Sequence, residues 1–410
     1  MITTHDKKIM TDLAKRVSEI ASQDIMNQRR KLWSRHNAFN KGKVPIYIRD
    51  GGWSNEVLRP TLQCEDEFLR EHELFLRKMI AQEQIGDDFV IEPWINLSAT
   101  KILPGDGPWG KMYEIHDSGF ENGARKFDKV VEDLNDISML IEPNHKIDEY
   151  QTNLNFEILS EAISDSIEIN IDRTPLWWGF EADISTRLGY IRGLEQIMWD
   201  MYDDPKGLKE LLSFMRDGII KAQQQAEKAN HLTLTSHINQ SMCYVNGLEG
   251  PKANSKPVKR NQLWAFSAAQ EFALISPKMH DEFMFQFQIP ILEPFKYVAY
   301  GCCEDLTDKI DMLRQLKNIR RIAVSPFSDV KKCAKEIKGD YIASWRPDPA
   351  RTVCLDFDVD VIKDIIKEAD QAFKEQDCLY DICLKDVHTI KGDFNRLVDF
   401  VKITREVLEE

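Results

Sequence analysis

The chain has 410 residues, of which 42% are hydrophobic and 30% are charged, a composition typical of a globular protein with a large apolar core. Its formal net charge of −14 argues against nucleic acid and against an anionic membrane as partners. Residues 1–20 are polar and amphipathic, and no run approaches the roughly 18 apolar residues that a membrane span needs. We therefore expect a soluble, cytoplasmic protein with no nucleic-acid and no membrane partner.

Short apolar runs alternate with polar turns and helical patterns along most of the chain. We predict eight strands at 44–48, 88–94, 175–180, 231–237, 296–301, 321–325, 340–345 and 379–384. Helical spacing of apolar residues predicts helices at 205–228, 277–289, 306–316, 329–337, 359–373 and 395–408.

Strands that alternate with helices predict the α/β class and a (β/α)8 TIM barrel. Residues 1–35 are predicted to form an N-terminal helical extension, and residues 36–410 the barrel. A charged segment at about 98–170 is predicted as an insertion after the second strand, where it could cover the barrel mouth.

Enzymes with this fold carry their working groups at the carboxyl ends of the strands. Polar residues stand at these ends here: Arg49, Asp50, Glu92, Glu181, His237, Asn239, Cys302, Cys303, Glu304, Ser325, Arg346, Asp348, Lys385, Asp386 and His388. Roughly half of such residues are expected only to cap strands or to face water.

The chain contains eight cysteines, at 64, 243, 302, 303, 333, 354, 378 and 383. Their spacing forms neither a CxxC motif nor a dense disulfide pattern, so we expect mostly free thiols. The adjacent pair Cys302-Cys303, followed by Glu304, stands out because thiolates bind Zn²⁺ strongly. The alternative is that both are small buried residues, as free cysteines often are. Because neighbouring side chains on a strand point to opposite faces, we expect one of the two to face the lumen.

Two histidines and a charged dipeptide allow a structural as well as a functional interpretation. His237 and His388 could be ligands or merely hydrogen-bonded side chains. Lys385-Asp386 could orient a substrate or form a simple ion pair. The sequence alone leaves these alternatives open.

Four segments, in this order, resemble the uroporphyrinogen decarboxylase-like superfamily, which includes cobalamin-dependent methyltransferases. They are Lys43–Tyr47, Tyr202–Pro205, Ile275–Met279 and Arg346–Pro349. The resemblance extends from about residue 42 to 408 and is closer still to one branch of the superfamily. That branch has a Tyr-Gly-Cys-Cys-Glu motif, found here at 300–304, and a Leu-Lys-Asp-x-His-Thr motif, found here at 384–389.

The resemblance implies a metal site, because the methyltransferases hold zinc through a His-x-Cys pair and a later cysteine. Zinc lowers the pKa of a substrate thiol and so creates a nucleophile. Cys302 and Cys383 match the two cysteines, whereas Tyr300 stands at the histidine position. The implied ligand set is therefore Cys302 and Cys383, completed by His237, His388 or Glu304.

The function that the resemblance implies is methyl transfer between a small methylated compound or thiol and a corrinoid protein. The chain lacks a corrinoid-binding Asp-x-His-x-x-Gly segment, so methylcobalamin would be carried by a separate partner. Glu304, Lys385 and Asp386 are assigned catalytic roles. The residues assigned to substrate binding are Asp50, Glu92, Glu181, Asn239, Tyr300 and Arg346. Relatives also imply a homodimer, by analogy alone.

Two alternative functions remain. The first is a metal-free decarboxylase or other lyase acting on a small acid, in which Asp50 or Glu92 manages protons. Porphyrin decarboxylation is disfavoured, because acids rather than several cations stand at the predicted barrel mouth. The second alternative is a non-catalytic binding subunit.

Overall fold

The computed structural model describes residues 2–117, 119 and 125–409. Within these residues the strands are β1 (Ile46–Asp50), β2 (Trp94–Ser98), β3 (Ile115–Asp117), β4 (Arg125–Phe127), β5 (Glu168–Asp172), β6 (Trp264–Ser267), β7 (Tyr297–Tyr300), β8 (Ile319–Val324), β9 (Ile342–Trp345) and β10 (Tyr380–Val387). The helices are α1 (Thr4–Ala21), α2 (Asp24–Asn37), α3 (Trp53–Val57), α4 (Glu67–Ile85), α5 (Glu149–Ile163), α6 (Ser185–Arg192), α7 (Leu194–Asp203), α8 (Pro205–Lys228), α9 (Pro277–His280), α10 (Gln286–Leu292), α11 (Ile310–Leu313), α12 (Val330–Ile337), α13 (Val359–Glu375) and α14 (Asn395–Glu409).

The central feature is a curled parallel sheet of six strands in the order β1-β10-β9-β8-β7-β6. A separate parallel pair, β2-β5, lies beside it, and β3 and β4 form a small antiparallel hairpin. In the described residues no strand pairing joins β1 to β2 or β5 to β6. The fold is thus a mixed α/β architecture that is consistent with a TIM-like barrel but not closed.

Helices cover the outside of the sheet, as the alternating sequence predicts. The aliphatic strand residues pack with α13 and α14 in the largest apolar cluster, while the apolar faces of α1, α4 and α5 pack against β2. The N-terminal α8 cap illustrates the local sequence rules: the Asp204 side chain accepts from the Gly207 backbone N–H, and Pro205 begins the helix.

In the described residues no helix combines the length and apolarity needed to cross a membrane.

Several predicted elements are confirmed and several are wrong. The five runs at 44–48, 296–301, 321–325, 340–345 and 379–384 correspond to β1, β7, β8, β9 and β10, and α8 has the predicted bounds. The runs at 175–180 and 231–237 are not strands, because they enter short 3-10 turns at Gly179–Ala182 and Leu234–Ser236. Of the run at 88–94, only the last residue, Trp94, lies in a strand, because β2 begins there.

Four strands of the described residues, β3, β4, β5 and β6, were not predicted. β5 reads Glu-Ile-Asn-Ile-Asp, so its polar positions conceal it from a search for apolar runs. β6 has only four residues, all of them buried. The segment predicted as an insertion at about 98–170 contains the β3-β4 hairpin and α5, and its last residues belong to β5. Predicted helix 306–316 is reduced to α11, and a wider π turn at Asp281–Phe285 interrupts 277–289.

Candidate active site

The carboxyl ends of β7, β9 and β10 bring together the side chains that dominate the site. β8 and β9 separate β7 from β10 in the sheet, yet the curl of the sheet places the residues after β7 against the end of β10. Gly301 has a φ of 96° and Asp386 a φ of 58°, so the backbone turns sharply at both ends. These turns direct Cys302 and Cys303 toward Lys385 and Asp386.

The adjacent cysteines form a close pair. The Lys385 ammonium contacts both of their sulfur atoms and also the carboxylate of Asp386. The two Sγ atoms lie 3.6 Å apart. Lys385 Nζ lies 2.9 Å from Cys302 Sγ and 3.1 Å from Cys303 Sγ. The same ammonium is 3.0 Å from Asp386 Oδ2, which also accepts from the Cys303 thiol at 3.3 Å. Two thiols, one cation and one carboxylate thus form a closed cluster.

The electrostatics of this cluster favour one thiolate, on Cys302. The hydrogen bond with Cys303 and the charges of Arg346 and Lys385 lower the pKa of Cys302 against the opposing effect of burial. The hydrogen bond with Cys302, together with burial, raises the pKa of Cys303. The Cys303 thiol also donates to Asp386, so a negative charge is better stabilised on Cys302 than on Cys303.

The partners of the thiolate are held in their charged forms. Burial and Arg346 disfavour the Lys385 ammonium, but Cys302 and Asp386 outweigh them and raise the pKa of Lys385. Burial also opposes ionisation of Asp386, yet the Lys385 charge lowers the pKa of that carboxyl. Lys385 is 5% exposed, whereas the Asp386 side chain is 47% exposed, so Asp386 connects the buried cluster to water.

Arg346 and Glu304 hold the backbone that carries the thiols. Arg346 donates one guanidinium nitrogen to the Cys302 carbonyl and another to the Gly301 carbonyl. The Glu304 carboxylate accepts from the Cys302 backbone N–H at 2.8 Å and from Ala269 N–H at 2.9 Å. Burial raises the pKa of Glu304 despite these bonds. Both residues thus stabilise the turn after β7 through its backbone.

Tyr300, which was predicted to bind substrate, lies on the other side of this turn. Its hydroxyl donates to Gln288 Oε1 at 2.7 Å and lies 3.4 Å from His280 Nε2, among helices that cover the sheet. Gln288 in turn donates to the carbonyls of Asp183 and Ala268. Since Tyr300 is 1% exposed, its position fits a structural role.

The predicted zinc ligands do not come together around one point. His237 uses both ring nitrogens, because Nδ1 accepts from Trp264 N–H and Nε2 faces the Glu249 carbonyl at 2.9 Å. The buried Cys383 thiol donates to the Gln240 carbonyl at 3.6 Å, and burial raises its pKa. His388 is exposed. At Cys302 the Lys385 ammonium occupies the contact that a metal would make, so the arrangement does not fit zinc held by these four residues.

A different group of possible metal ligands lies on the β3-β4 hairpin. In the part of the chain that the structure describes, Glu114, His116 and Asp128 are the three His, Cys, Asp or Glu residues whose ligand atoms lie within 4.8 Å of one another. All three are exposed, and His116 Nε2 is already 2.7 Å from Asp128. The group is remote in sequence from every predicted ligand.

The remaining predicted substrate residues divide into ion pairs and a cavity wall. Asp50 pairs with Lys78 at 2.7 Å, and Glu181 pairs with Arg187. Glu92 accepts from Arg30 with both oxygens, at 3.1 and 2.7 Å, yet it also lines a cavity of about 340 Å³ together with Asn239. Arg346 lines a second cavity, of about 310 Å³, so three of the predicted substrate residues, Glu92, Asn239 and Arg346, face spaces that could hold a small molecule.

Sequence reasoning missed a glycine that shapes the site. A Cβ at Gly51 would lie 2.4 Å from Val387 N and 2.7 Å from Asp386 Cα. The end of β1 and the end of β10 can approach this closely only because residue 51 has no side chain. The sequence shows the Gly51-Gly52 pair, but it does not show that the end of β10 packs against it.

Comparison with known proteins gives a similar solved structure but shows no family. No family model and no curated protein matches the chain. A methyltransferase from Methanosarcina mazei is a similar solved structure, with 13% sequence identity and a TM-score of 0.49, covering 92% of this chain and 98% of that one. This similarity is too low to carry a family or an activity to the chain, so both stay predictions.

Proposed function

We propose that the chain is a methyltransferase in which Cys302 accepts a methyl group from a small methylated compound. The methyl group then passes to a corrinoid carried by a separate protein. The observation that supports this most is the position of Cys302 Sγ, 2.9 Å from the Lys385 ammonium at the ends of the parallel strands. A thiolate is a good nucleophile for carbon, and a neighbouring cation stabilises that charged form.

The first step forms a bond between Cys302 Sγ and the methyl carbon. The bond from that carbon to the donor heteroatom breaks, and the heteroatom leaves with the electron pair. It takes a proton from the Lys385 ammonium, which contacts the attacking sulfur, and the half-exposed Asp386 carboxylate gives a route for a replacement proton from water.

The second step regenerates the thiolate. The bond between Cys302 Sγ and the methyl carbon breaks, and the sulfur keeps the electron pair. The corrinoid of the partner protein, when bound, would supply the nucleophile that takes the methyl group. The Lys385 ammonium stabilises the thiolate that forms. The same cation therefore serves both steps, while Arg346 and Glu304 keep the sulfur in place through the backbone.

The decarboxylase alternative receives less support from the residues assigned to it. Asp50 and Glu92 both form ion pairs, so neither is a free proton acceptor. A non-catalytic subunit would have no need for a thiolate that a buried lysine stabilises. Neither alternative accounts for the cluster around Cys302.

The test uses purified protein, pools of small methylated sulfides, amines and ethers, and free cob(I)alamin as a surrogate acceptor. Formation of methylcobalamin is followed by absorbance. We expect transfer from at least one pool, and a loss of at least about a thousandfold in Cys302→Ser. The matched control, Cys303→Ser, should retain more activity. No transfer from any pool, or full transfer by Cys302→Ser, would contradict the proposal.

A further inference from the structure

A cavity of about 340 Å³ lies between β2 and the loop at 235–244. Much of its wall is apolar or aromatic, formed by Phe89, Trp94, Met242, Tyr244 and their neighbours. Such surfaces favour flat apolar molecules, because aromatic side chains bury large areas against them. The volume suits a compound of one ring with small substituents.

The titratable side chains that line this cavity are all neutral or already paired. Both oxygens of Glu92 are engaged by Arg30. Burial lowers the pKa of His237 to about 4 and raises the pKa of Cys243 to about 12, so both are uncharged near neutrality. A charged ligand would lose its hydration without gaining a partner of opposite charge from these side chains.

Two residues of the cavity wall carry buried polar atoms that have no hydrogen-bond partner. These atoms are Asn239 Nδ2 and Ser241 Oγ. Asn239 and Ser241 line the cavity, and Ser241 is 6% exposed. Asn239 Oδ1 accepts from the Ser241 backbone N–H at 3.2 Å, which fixes the amide with its Nδ2 group free. Buried polar groups without partners are rare in folded proteins, and a ligand is one way to satisfy them.

We infer that this cavity binds a small uncharged molecule with a planar apolar body and an oxygen atom that accepts from Asn239 Nδ2. Ser241 Oγ provides a second contact for the same polar end. Gln240 connects the cavity wall to the thiol site, because its carbonyl accepts from Cys383, two residues before Lys385. That the bound molecule is the methyl donor rests on the proposed function; that it binds here does not.

The probe is benzamide, an uncharged aromatic amide, compared with benzoate, an anion of nearly the same shape. We expect saturable binding of benzamide by calorimetry and binding of benzoate at least about tenfold weaker. Asn239→Leu and Ser241→Ala should each weaken benzamide binding about fivefold. The matched control Ser328→Ala, outside this cavity, should not.

A second readout separates a ligand site from a structural role. Because Ser241 Oγ makes no hydrogen bond in the protein, Ser241→Ala should leave the Tm of the free protein unchanged or higher. Asn239→Leu also removes the hydrogen bond from the Ser241 backbone N–H, so it is used for the binding measurement alone. Absent benzamide binding, equal binding of benzoate, or wild-type affinity in both variants would overturn the inference. Benzamide binding together with full methyl transfer by Cys302→Ser would contradict only the proposed function.

Discussion

Replacing Lys385 with methionine removes the cation that stabilises the thiolate while keeping most of its apolar volume. Its Nζ lies 2.9 Å from Cys302 Sγ and 3.1 Å from Cys303 Sγ, and the residue is 5% exposed. A hydrogen bond to a charged group is worth about 1.5–3 kcal/mol. That free energy equals about a ten- to hundredfold decrease in the acid dissociation constant of Cys302. The sign is fixed, because loss of a nearby cation raises the pKa of a thiol.

The assay is alkylation of Cys302 by iodoacetamide as a function of pH, with the labelled peptide identified by mass spectrometry. In Lys385→Met the midpoint of the profile should move to higher pH. The matched control is Lys309→Met, which removes a buried lysine that donates to the carbonyls of Phe272 and Ala273 instead of to sulfur. An unchanged midpoint in Lys385→Met, or an equal change in Lys309→Met, would refute the reasoning.

Three further predictions concern the neighbours of this cluster and the pH dependence of stability. Asp386→Asn removes the carboxylate that competes for Lys385, so the alkylation midpoint should move to lower pH, opposite to Lys385→Met. Gly51→Ala would place a Cβ 2.4 Å from Val387 N, which should cost about 1–3 kcal/mol in urea unfolding and slow alkylation. Burial lowers the pKa of His280 from 6.5 to about 3, so the folded state resists protonation as the pH falls below 6.5. Between pH 6.5 and 5 this removes about 2 kcal/mol of stability, a loss that His280→Gln should abolish.

Each of these has an outcome that would count against it. A shift to higher pH in Asp386→Asn would mean that the carboxylate supports the thiolate. Gly51→Ala should be compared with Gly42→Ala, where no atom lies within 4 Å of the added Cβ, and equal effects would remove the packing argument. An unchanged pH slope in His280→Gln would show that other groups set the acid sensitivity.

Part of the site could be predicted from the sequence, because in this type of fold the carboxyl ends of the parallel strands lie on the same side of the molecule. Cys302, Lys385 and Arg346 follow buried runs that are typical of parallel strands, and the structure places all three together. A barrel places its last strand beside its first, and β10 does pair with β1. The sheet nevertheless is not closed elsewhere in the described residues. The position of the strand ends predicts on which side of the molecule these residues lie. It does not predict which of their atoms are in contact.

The rest depends on contacts between residues distant in sequence. Tyr300 and Cys302 are two residues apart, so simple alternation puts them on one face, but the positive φ of Gly301 breaks that alternation. The ring of His237 is occupied by the backbone of β6, a strand whose four residues gave no clear signal. The sequence therefore could not show that the backbone of β6 occupies a ring nitrogen of His237.

The most direct measurement of the central claim is to trap the methyl group on the protein. The chain would be incubated with a methyl donor identified in the cob(I)alamin assay, carrying deuterium in its methyl group, without any acceptor. Peptide mapping by mass spectrometry should find the labelled methyl group on Cys302, and addition of cob(I)alamin should remove it. Methyl transfer with no label on Cys302, or with the label on Cys303, would contradict the account.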